Sequence, residues 1–393
     1  MTNIITDTYG LFISEHIYEN IYPVIDDIFT NTIYSYYKHL RHNIDWKTSS
    51  NYSIHSIQCK YVILIGNTTS DIESVVEYRG TLLLPNEENN FLWNDSFHPK
   101  VRIYSIVSEE GMYINLLKSI LNHGSIRIDR TNVGTHSIFG KKLEFSLQNN
   151  TLPMLTSKKV AFRVVLHELL WFLKGSTNTE ELQRHNIKIW DGNSTREFLN
   201  NRGLPEYKEG ELGPIYGFQW RNWGGSYKNI EKNPEGIDQI NNIITTLKHK
   251  DFYNRRMILS AWNVGDLSKM VLPPCHCFCQ FYVSDIGLCC ALTQRSADVF
   301  LGLPFNITSY ALLTHMIAHV TQLKTDKLII NLGDTHIYNN HIEQCKLQLQ
   351  NPHYEFPMIH ITKETPNIDE LVFEDFNVVN YKSNPTIRAP MAI

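Results

Sequence analysis

One segment restricts the fold of this chain more than any other, the run FRVVLHELLWFLKG at residues 162–175. Apolar side chains surround this predicted helix on nearly all sides, so the helix has to be buried. A buried helix needs a large core, and 393 residues are enough for one large domain and a smaller one. Glu168 lies inside the run, and a carboxylate in apolar surroundings is paired or protonated, with a raised pKa. The alternative places Glu168 on a wet edge of the helix.

Two other helices are predicted in the second part of the chain. The segment SEEGMYINLLKSILNHG predicts a helix that ends in a left-handed cap at Gly124. The segment NITSYALLTHMIAHVTQL predicts a long helix that turns Ile307, Ala311 and Ile317 inward. Helices that cover strand pairs are typical of an α+β domain.

Three segments predict the strands that these helices cover. RRMILSAWNV at residues 255–264 predicts a strand that opens with two arginines. CFCQFYVSDIGLCCALTQRSAD predicts a hairpin that turns near residues 284–287. KLIINLGDTHIYNNHIEQCKLQL predicts a strand, then a polar loop, then a helix. We therefore expect an α+β domain, a mixed sheet with packed helices, over residues 108–393.

Residues 1–107 form an N-terminal extension of unknown function and uncertain fold. Short apolar runs alternate there with polar, turn-like clusters. YVILIG at residues 61–66 and GTLLLP at Gly80–Pro85 predict buried strands, which Gly and Pro end. This part contains neither a repeat nor a motif with an evident chemistry, so it indicates no activity of its own.

Composition excludes several classes of protein. The chain is 42% hydrophobic and 19% charged, as in globular proteins, and its net charge of -4 provides no general field for gripping long nucleic acid. Neither a signal peptide nor an apolar run of about 18–20 residues is apparent, so we expect no membrane span. Seven cysteines are an odd number in a long chain, which indicates free thiols in a reducing compartment, the cytoplasm.

Three of these cysteines alternate in LPPCHCFCQFYV, at Cys275, Cys277 and Cys279. Structural zinc sites usually have two cysteine pairs with two to four residues between the members, and this spacing differs. A disulfide between strand residues two apart has poor geometry. Cys277 and Cys279 lie within the apolar strand, where a thiol acts as a small hydrophobic group. Cys275 lies at the strand entrance, which makes it the candidate nucleophile.

Nine motifs of this sequence, in order, resemble those of the thymidylate synthase family. They are DRTNVGTHSIFG, HELLWFLKGSTN, IKIWDGN, GELGPIYGFQWR, RRMILSAWNVGDL, LPPCHCFCQFYV, QRSADVFLGLPFNITSYALL, GDTHIYNNHIEQ and APMAI. The resemblance extends over residues 110–393 without a large gap. It implies the reductive methylation of dUMP to dTMP, with 5,10-methylenetetrahydrofolate as donor of both carbon and hydride, and without a metal.

The resemblance assigns the chemical steps to a few side chains. Cys275 matches the nucleophile that adds to carbon 6 of uracil, and a thiolate suits that weak electrophile. Arg295 would raise the ionised fraction of the thiol, which is a few per cent at an ordinary pKa of about 8.5. Glu168 matches the carboxylate that moves protons. Tyr216 and His276 would support the water network near the base.

The resemblance also assigns the nucleotide contacts. Arg130, Arg295 and Ser296 match phosphate ligands, and Asn306 would select uracil because its amide can both donate to O4 and accept from N3–H. His336 and Tyr338 match groups that bond the ribose hydroxyl. The remaining predicted nucleotide contacts are Gln294, Ala297, Asp298 and Ile337.

The folate site implied by the resemblance is largely apolar. Asp298 matches the carboxylate that contacts the pterin ring. Lys158 resembles the residue that meets the glutamate tail, and Ala392 and Ile393 match a tail that folds over the ligands. The other predicted folate contacts are Ile189, Trp190, Asn193, Leu301, Gly302 and Phe305.

The resemblance implies a homodimer in which Arg255 and Arg256 reach the phosphate of the other subunit, and no obligatory nucleic acid partner. Two alternatives remain at this point. One is a cysteine hydrolase that pairs Cys275 with His276, or with His336 and Asp334, although adjacent side chains on a strand point apart. The other is a catalytically silent family member that acts as a regulatory or RNA-binding protein.

Some relatives join dihydrofolate reductase to the synthase, and IYSIVSEEGMYINLLKSIL resembles their junction. A degenerate reductase remnant is therefore one interpretation of residues 1–107. The extension is shorter than a reductase domain, and it has neither a Leu-Pro-Trp loop nor a Gly-rich nucleotide loop. We expect no reductase activity from this chain.

Overall fold

The protein is described from a computed structural model. The structure describes residues 9–13, 44–48, 61–65, 80–85, 102–106, 109–128, 133–227 and 236–391. Contacts divide the chain into two units, Met1–Ser108 and Glu109–Ile393. None of the helices in the described ranges is long and apolar enough to cross a membrane.

The described part of the N-terminal unit is a five-stranded sheet. Its strands are β1 (Tyr9–Ile13), β2 (Ile44–Thr48), β3 (Tyr61–Ile65), β4 (Gly80–Pro85) and β5 (Arg102–Ile106). They lie in the order β2-β1-β3-β4-β5, and neighbouring strands are parallel throughout. The two strands predicted in this unit are confirmed as β3 and β4, while their predicted burial stays a prediction.

The C-terminal unit is built on a six-stranded mixed sheet. Its strands are β6 (Ser125–Arg127), β7 (Thr135–Ser146), β8 (Ile258–Ser260), β9 (His276–Val283), β10 (Leu288–Asp298) and β11 (Thr325–Tyr338). They lie in the order β6-β7-β11-β10-β9-β8, and only β10 and β11 pair in parallel. A separate antiparallel pair joins β12 (Met358–Ile361) to β13 (Phe376–Val379).

Helices and short 3-10 segments complete this unit. The helices are α1 (Glu109–His123), α2 (Phe162–Leu173), α3 (Glu180–Arg184), α4 (Arg196–Asn201), α5 (Tyr216–Asn222), α6 (Gln239–Lys248), α7 (Gly302–Val320) and α8 (Ile342–Leu349). The 3-10 segments are Gln148–Asn150, Asp191–Asn193, Val264–Lys269, Asn339–His341, Ile368–Glu370 and Phe373–Asp375. The predicted α+β class with a mixed sheet is confirmed.

The core lies between the sheet and its helices, with α7 at the centre. Ile307, Ala311 and Ile317 of α7 are fully buried, as predicted, and α7 packs on β10, β11 and α2. The other face of the sheet exposes aromatic side chains: Phe278 of β9 is 38% exposed and Tyr282 is 60% exposed. Because side chains alternate along a strand, these residues share one face, opposite the buried Cys279 and Phe281.

Three local predictions differ from the structure. The strand, polar loop and helix predicted from KLIINLGDTHIYNNHIEQCKLQL occur in that order, but β11 extends through GDTHIY, where Asp334 and His336 pair with Ser296 and Asp298, so only Asn339–His341 separates it from α8. The strand predicted over residues 255–264 is only Ile258–Ser260.

Gly124 does not have the predicted left-handed backbone. A Cβ atom there would lie 2.4 Å from the oxygen of Ile120, so glycine is needed for close approach of the chain. The hairpin turn predicted near residues 284–287 is confirmed, since the N–H of Ser284 donates to the oxygen of Gly287 at 2.9 Å.

Candidate active site

Cys275 is held by its main chain at the entrance to β9. Its N–H donates to the hydroxyl oxygen of Tyr216 at 2.8 Å, and its carbonyl accepts from the N–H of Arg295 at 2.8 Å. The first bond joins β9 to α5, and the second joins it to β10. The residue is half-buried, so its thiol is both fixed in place and accessible.

Arg295 lies against this thiol. Its Nη2 is 3.8 Å from Sγ of Cys275, while Nε and Nη2 donate to the carbonyls of Pro274 and Pro273 at 2.8 and 2.9 Å. The guanidinium also lies 5.5 Å from the centre of the Trp262 ring. The carbonyl groups of these two prolines therefore orient the guanidinium of Arg295 towards the thiol of Cys275. A fixed positive charge beside a thiol favours the thiolate, which is the nucleophilic form.

The neighbouring cysteines have different surroundings. Cys279 is 1% exposed, and burial raises the pKa of its thiol well above the ordinary value. Cys277 is half-buried, with a pKa raised by burial, and its Sγ lies 3.7 Å from the oxygen of Pro274. The six cysteines in the described ranges form no disulfide, and no group of three metal-ligating side chains occurs among the described residues.

Glu168 on α2 faces Trp190. Its Oε1 accepts a hydrogen bond from the indole Nε1 at 2.8 Å. The residue keeps some exposed surface, yet burial raises the pKa of the carboxyl group from 4.5 to about 7, against the opposing effect of the Trp190 bond. A wet helix edge would not raise the pKa in this way. A carboxyl group with a pKa near 7 can both donate and accept a proton at neutral pH.

Tyr216 and His276 form a stacked pair next to the thiol. Their rings lie 3.9 Å apart and nearly parallel, and Nδ1 of His276 lies 2.8 Å from the hydroxyl of Tyr310. Burial lowers the pKa of His276 to about 3, so its imidazole is neutral. Burial also raises the pKa of the Tyr216 phenol well above its usual range. A hydrolase that uses His276 as the base for Cys275 does not fit, because an imidazole with a pKa of about 3 is too weak a base to take the proton of a thiol.

The side-chain amides of Gln294 on β10 and Asn306 on α7 form a hydrogen-bonded pair. Gln294, 2% exposed, donates from Nε2 to Oδ1 of Asn306 at 3.0 Å. Asn306 is the fifth residue of α7 and is partly exposed. A carbonyl oxygen can accept a second hydrogen bond, so Asn306 can still accept from a ligand while its NH2 group donates.

The parallel strands β10 and β11 place Asp298 and His336 side by side, near their carboxyl ends. Asp298 at the end of β10 pairs with His336 of β11, and Oδ1 of Asp298 accepts from the N–H groups of Phe300 and Leu301 at 3.0 and 3.2 Å. Asp334 holds Nδ1 of His336 at 2.9 Å, which sets the orientation of the imidazole.

The rest of the predicted nucleotide contacts lie on the same strands. The Tyr338 ring packs edge-on against His336, with centroids 5.2 Å apart. Ser296 is partly exposed and pairs with Asp334. Ala297 and Ile337 are at most 1% exposed, so only their main chains are available to a ligand.

The predicted apolar folate contacts are partly exposed and come from two elements. Leu301, Gly302 and Phe305 lie at the start of α7, while Ile189 and Trp190 follow α3. These apolar residues lie close to the residues around Cys275, because the centre of the Trp190 ring is 6.3 Å from the centre of the Tyr216 ring. Asn193, next along the chain, is 6% exposed.

Lys158 lies deeper than the other predicted contacts. Its amine donates to the carbonyl of Phe300 and lies 3.5 Å from the centre of that ring. Burial lowers the pKa of the amine to about 8. The amine thus faces inward, towards the turn that begins α7.

Five predicted residues are not part of the cluster described above. Arg255 and Arg256 are exposed and precede β8 at the edge of the sheet. Arg130, Ala392 and Ile393 lie outside the described residues.

Sequence reasoning missed several residues of the site. Trp262 lies under the guanidinium of Arg295, and Tyr310 bonds His276 from the middle of α7. Asp334 was considered only as part of a hydrolase, yet it orients His336 and also accepts from Oγ of Ser137 at 3.0 Å. Trp262 and Tyr310 act through side chains far away in the sequence, whereas Asp334 lies two residues before His336, and no residue pattern by itself indicates any of these roles.

A separate cavity of about 600 Å³ lies at the opposite end of β9 and β10, beside the hairpin turn. His315, His319 and His360 line it, together with Asp285 and Lys324. None of the predicted site residues lines this cavity.

Comparison with known proteins identifies the family. A family model described as thymidylate synthase matches residues 111–393. The chain is 49% identical over 287 residues to the thymidylate synthase of human herpesvirus 8, which spans 72% of this chain and 85% of the viral one. It is 48% identical over 286 residues to the human thymidylate synthase, spanning 72% of this chain and 91% of the human one.

The chain belongs to the thymidylate synthase family. It is a methyltransferase of this family, and its reaction is the methylation of dUMP. Fused relatives also match: the bifunctional dihydrofolate reductase-thymidylate synthase of Leishmania major is 47% identical over 289 residues, and the match covers 55% of it. The chain thus spans about half the length of this bifunctional thymidylate synthase.

Proposed function

We propose that the protein converts dUMP and 5,10-methylenetetrahydrofolate to dTMP and dihydrofolate, with the folate as donor of carbon and hydride. The observation that supports this assignment best is one cluster: the Cys275 thiol 3.8 Å from the guanidinium of Arg295, with Glu168 at a pKa of about 7 beside Trp190. A nucleophile and a neutral-pH proton carrier are the two groups that this methylation needs.

Cys275 starts the reaction. Its Sγ adds to carbon 6 of the uracil ring, a sulfur–carbon bond forms, and the electron pair of the ring double bond moves towards carbon 5 and O4. Arg295 stabilises the thiolate before this addition. Carbon 5 is then nucleophilic enough to take the one-carbon unit.

Glu168 handles protons during the later steps. Its carboxyl group is half ionised near pH 7, so it can deliver a proton and take it back without a large free-energy cost. Tyr216 and the neutral His276 remain uncharged and hold the water and the thiol in place.

The nucleotide lies along β10 and β11. Arg130, Arg295 and Ser296 bind its phosphate, with Ala297 contributing its main chain. Asn306, oriented by Gln294, selects uracil over cytosine. On β11, His336 and Tyr338 bond the ribose, and the main chain of Ile337 lies between them.

The folate lies against the apolar wall at the start of α7. The residues fit such a ligand, since five of them are partly exposed and apolar or lack a side chain, and Asp298 can accept from the pterin N–H groups. Asn193 and Lys158 support this wall, and the tail with Ala392 and Ile393 closes over it.

The active protein is a homodimer. Phe278 and Tyr282 expose aromatic surface on the uncovered sheet face, and a second copy would bury it. Arg255 and Arg256 lie at the edge of that sheet, and the side-chain amide of Gln280 donates to the carbonyl of Arg255 at 3.0 Å. From that edge the two guanidinium groups reach the phosphate in the partner's site.

Two further assignments complete the proposal. The protein works in the cytoplasm, bound to neither a membrane nor an obligatory nucleic acid. Residues 1–107 and 108–393 are separate domains, and all of the proposed site residues belong to the second.

The test is to incubate the protein with 5-fluoro-dUMP and methylenetetrahydrofolate, then to measure intact mass and map peptides. Fluorine at carbon 5 blocks the final steps, so nucleotide and folate should remain covalently bound to Cys275. An adduct on Cys277 or Cys279 would show that Cys275 is not the nucleophile. Folded dimer without any adduct would contradict the proposed mechanism.

A further inference from the structure

Two side chains of α7 bond two side chains of the sheet next to Cys275. Asn306 and Tyr310 are four residues apart, so they lie on the same face of the helix. His276 and Gln294 lie opposite each other on β9 and β10. Gln294 donates to Asn306 at 3.0 Å, and Nδ1 of His276 lies 2.8 Å from the hydroxyl of Tyr310. The second bond therefore lies one helical turn from the amide that is proposed to select uracil.

The direction of the Tyr310 bond follows from the burial of the phenol. Tyr310 is 2% exposed, and among the described residues Nδ1 of His276 is the one acceptor within hydrogen-bond distance of its hydroxyl group. Burial raises the pKa of the phenol well above its usual range, so the hydroxyl group keeps its hydrogen. A buried polar hydrogen without an acceptor is costly, so the phenol donates and Nδ1 accepts.

The proton of the imidazole must then be on its other nitrogen. Burial lowers the pKa of His276 to about 3, so the ring is neutral and carries a single proton. Since Nδ1 accepts, this proton is on Nε2, which is therefore a donor. Nε2 has no hydrogen-bond partner among the described residues, and the side chain lies beside the thiol with 8% of its surface exposed. This N–H group can therefore donate to a ligand in the site.

The aromatic neighbours fix the plane of this ring but not its direction within the plane. The Tyr216 ring stacks on the imidazole at 3.9 Å, and the Tyr310 ring meets it edge-on at 5.4 Å. A half-turn about the bond from Cβ would keep the plane and put a C–H group in the place of Nδ1. The bond from Tyr310 opposes that half-turn, because a C–H group cannot accept its hydrogen.

We propose that Tyr310 is a positioning residue that holds His276 in the tautomer and orientation whose Nε2–H donates towards O4 of uracil, the edge that Asn306 selects. Addition of the Cys275 thiolate to carbon 6 moves an electron pair towards O4, and a donor aimed at this oxygen stabilises the charge that develops there. The proton stays on Nε2 throughout, so this is a hydrogen bond and not a proton transfer. This inference rests on the proposed addition of Cys275 to carbon 6.

Tyr310→Phe removes the hydroxyl group and keeps the ring. We expect the single-turnover rate of dTMP formation to fall about 10-fold, the effect of one hydrogen bond, because the imidazole then also adopts the other tautomer and the other orientation. The Kd for dUMP should stay within about threefold, since the bond to O4 strengthens only as charge develops. Rapid-quench kinetics and equilibrium binding measure the two effects.

Tyr207→Phe is the matched control. Tyr207 is 9% exposed, and its hydroxyl donates to the main-chain oxygen of Lys269 at 2.8 Å, so this variant also loses one phenol hydrogen bond. Its partner is not an imidazole, and the single-turnover rate should stay within about twofold of the wild type. An equal loss of rate in the two variants would overturn the proposal.

A double-mutant cycle separates positioning from a general structural effect. In His276→Gln the side-chain amide takes the place of Nε2 and provides an N–H donor that has no tautomers. Because Tyr310 acts through the imidazole, adding Tyr310→Phe to His276→Gln should change the rate by no more than about twofold. The same loss of about 10-fold in both backgrounds would show that Tyr310 does not act through His276.

The tautomer itself is measured in the ligand-free protein by nitrogen NMR of protein labelled at histidine. The His276 signals are those lost in His276→Gln, and the couplings of the ring nitrogens to the ring C–H protons show which nitrogen is protonated. We expect the proton on Nε2 in the wild type and a mixture of tautomers in Tyr310→Phe. A wild-type proton on Nδ1 would refute the proposal. A wild type that makes no dTMP would refute the proposed function instead, while this spectrum would still decide the tautomer.

Discussion

At the scale of single residues, the site depends on how each ionisable side chain is surrounded. Cys275 is half-buried beside a guanidinium, whereas Cys279, four residues further along the chain, is buried in the core, and this burial raises the pKa of its thiol. Glu168 and His276 are both shifted by burial, the first to a pKa of about 7 and the second to about 3. Burial thus makes one group a proton carrier and keeps the other neutral.

Cys275→Ala should abolish turnover, by roughly 10⁴-fold or more, because no other thiolate can add to carbon 6. The Kd for dUMP should remain within about threefold, since the phosphate, ribose and base contacts stay in place. Product formation and equilibrium binding measure the two effects. Cys277→Ala is the matched control and should keep most of the activity. Turnover by Cys275→Ala near that of the wild type would contradict the assignment.

The raised pKa of Glu168 predicts a pH dependence of stability. Its folded pKa of about 7 lies above the ordinary value of 4.5, so the folded state holds more protons than the unfolded state between these values. The free energy of unfolding contributed by Glu168 should therefore fall as pH rises from about 4.5 to about 7.

Denaturant unfolding of the wild type and of Glu168→Gln at pH 5 and pH 8 tests this sign. The wild type should lose stability relative to the variant at the higher pH, by about 3 kcal/mol at most. A difference between the two proteins that stays constant with pH would show that Glu168 has an ordinary pKa.

At the scale of elements, one carboxylate joins the first helix of the C-terminal unit to the loop before α2. Glu110 in the first turn of α1 is 1% exposed and accepts from Thr156 N at 2.8 Å, Thr156 Oγ1 at 2.5 Å and Ser157 N at 2.7 Å. The same loop binds the segment near the C-terminus, where the N–H of Asn384 donates to the oxygen of Thr156 at 2.8 Å. The loop also leads directly into Lys158.

Glu110→Ala should lower the free energy of unfolding by about 2–4 kcal/mol, since it leaves two buried N–H groups without an acceptor and leaves the Thr156 hydroxyl only the carbonyl of Tyr354, at 3.4 Å. Glu109→Ala on the same turn is the control. Glu109 accepts one N–H, that of Ser146 at 2.9 Å, and should matter less. Denaturant unfolding measures both variants. An equal loss of unfolding free energy in the two would show that the additional hydrogen bonds of Glu110 do not stabilise the protein.

The elements also show which local patterns predict structure. Apolar periodicity predicted α2, α7 and the β9–β10 hairpin, because these elements bury continuous apolar surface that the sequence displays. The loop predicted between β11 and α8 is shorter than the polar sequence indicates, since the polar side chains of GDTHIY serve the site while its main chain pairs with β7 and β10. Gly124 was predicted as a left-handed cap, but a neighbouring carbonyl decides that position.

At the scale of the whole molecule, the proposed dimer makes one active site from two chains. Arg255 and Arg256 would complete the partner's phosphate site, while Cys275 acts within its own subunit. Two variants that are inactive by themselves should therefore restore activity when they are mixed and allowed to exchange subunits.

The experiment mixes Cys275→Ala with the double variant Arg255→Ala, Arg256→Ala. Random exchange makes half of the dimers mixed, each with one intact site, so activity should reach about a quarter of the wild-type value. Each variant incubated alone is the control. A mixture no more active than its components, in spite of proven subunit exchange, would place the arginines within their own subunit.

The N-terminal unit belongs to the same scale. We expect no dihydrofolate reductase activity, because residues 1–107 have neither the Leu-Pro-Trp loop nor the Gly-rich nucleotide loop. NADPH oxidation by the pure protein should not rise above background when dihydrofolate is added. A dihydrofolate-dependent rate above that of a heat-treated control would refute this prediction.

The sequence by itself determined the family, the reaction and the main elements, because these depend on the order of motifs and on apolar periodicity, both of which are local. Only the tertiary structure decided which groups meet and what surrounds them. Arg295 is aimed at Cys275 by two proline carbonyls, and Tyr310 of α7 bonds His276 of β9. These contacts join residues far apart in the chain, and a pKa depends on burial and neighbouring charge, which no local pattern reports.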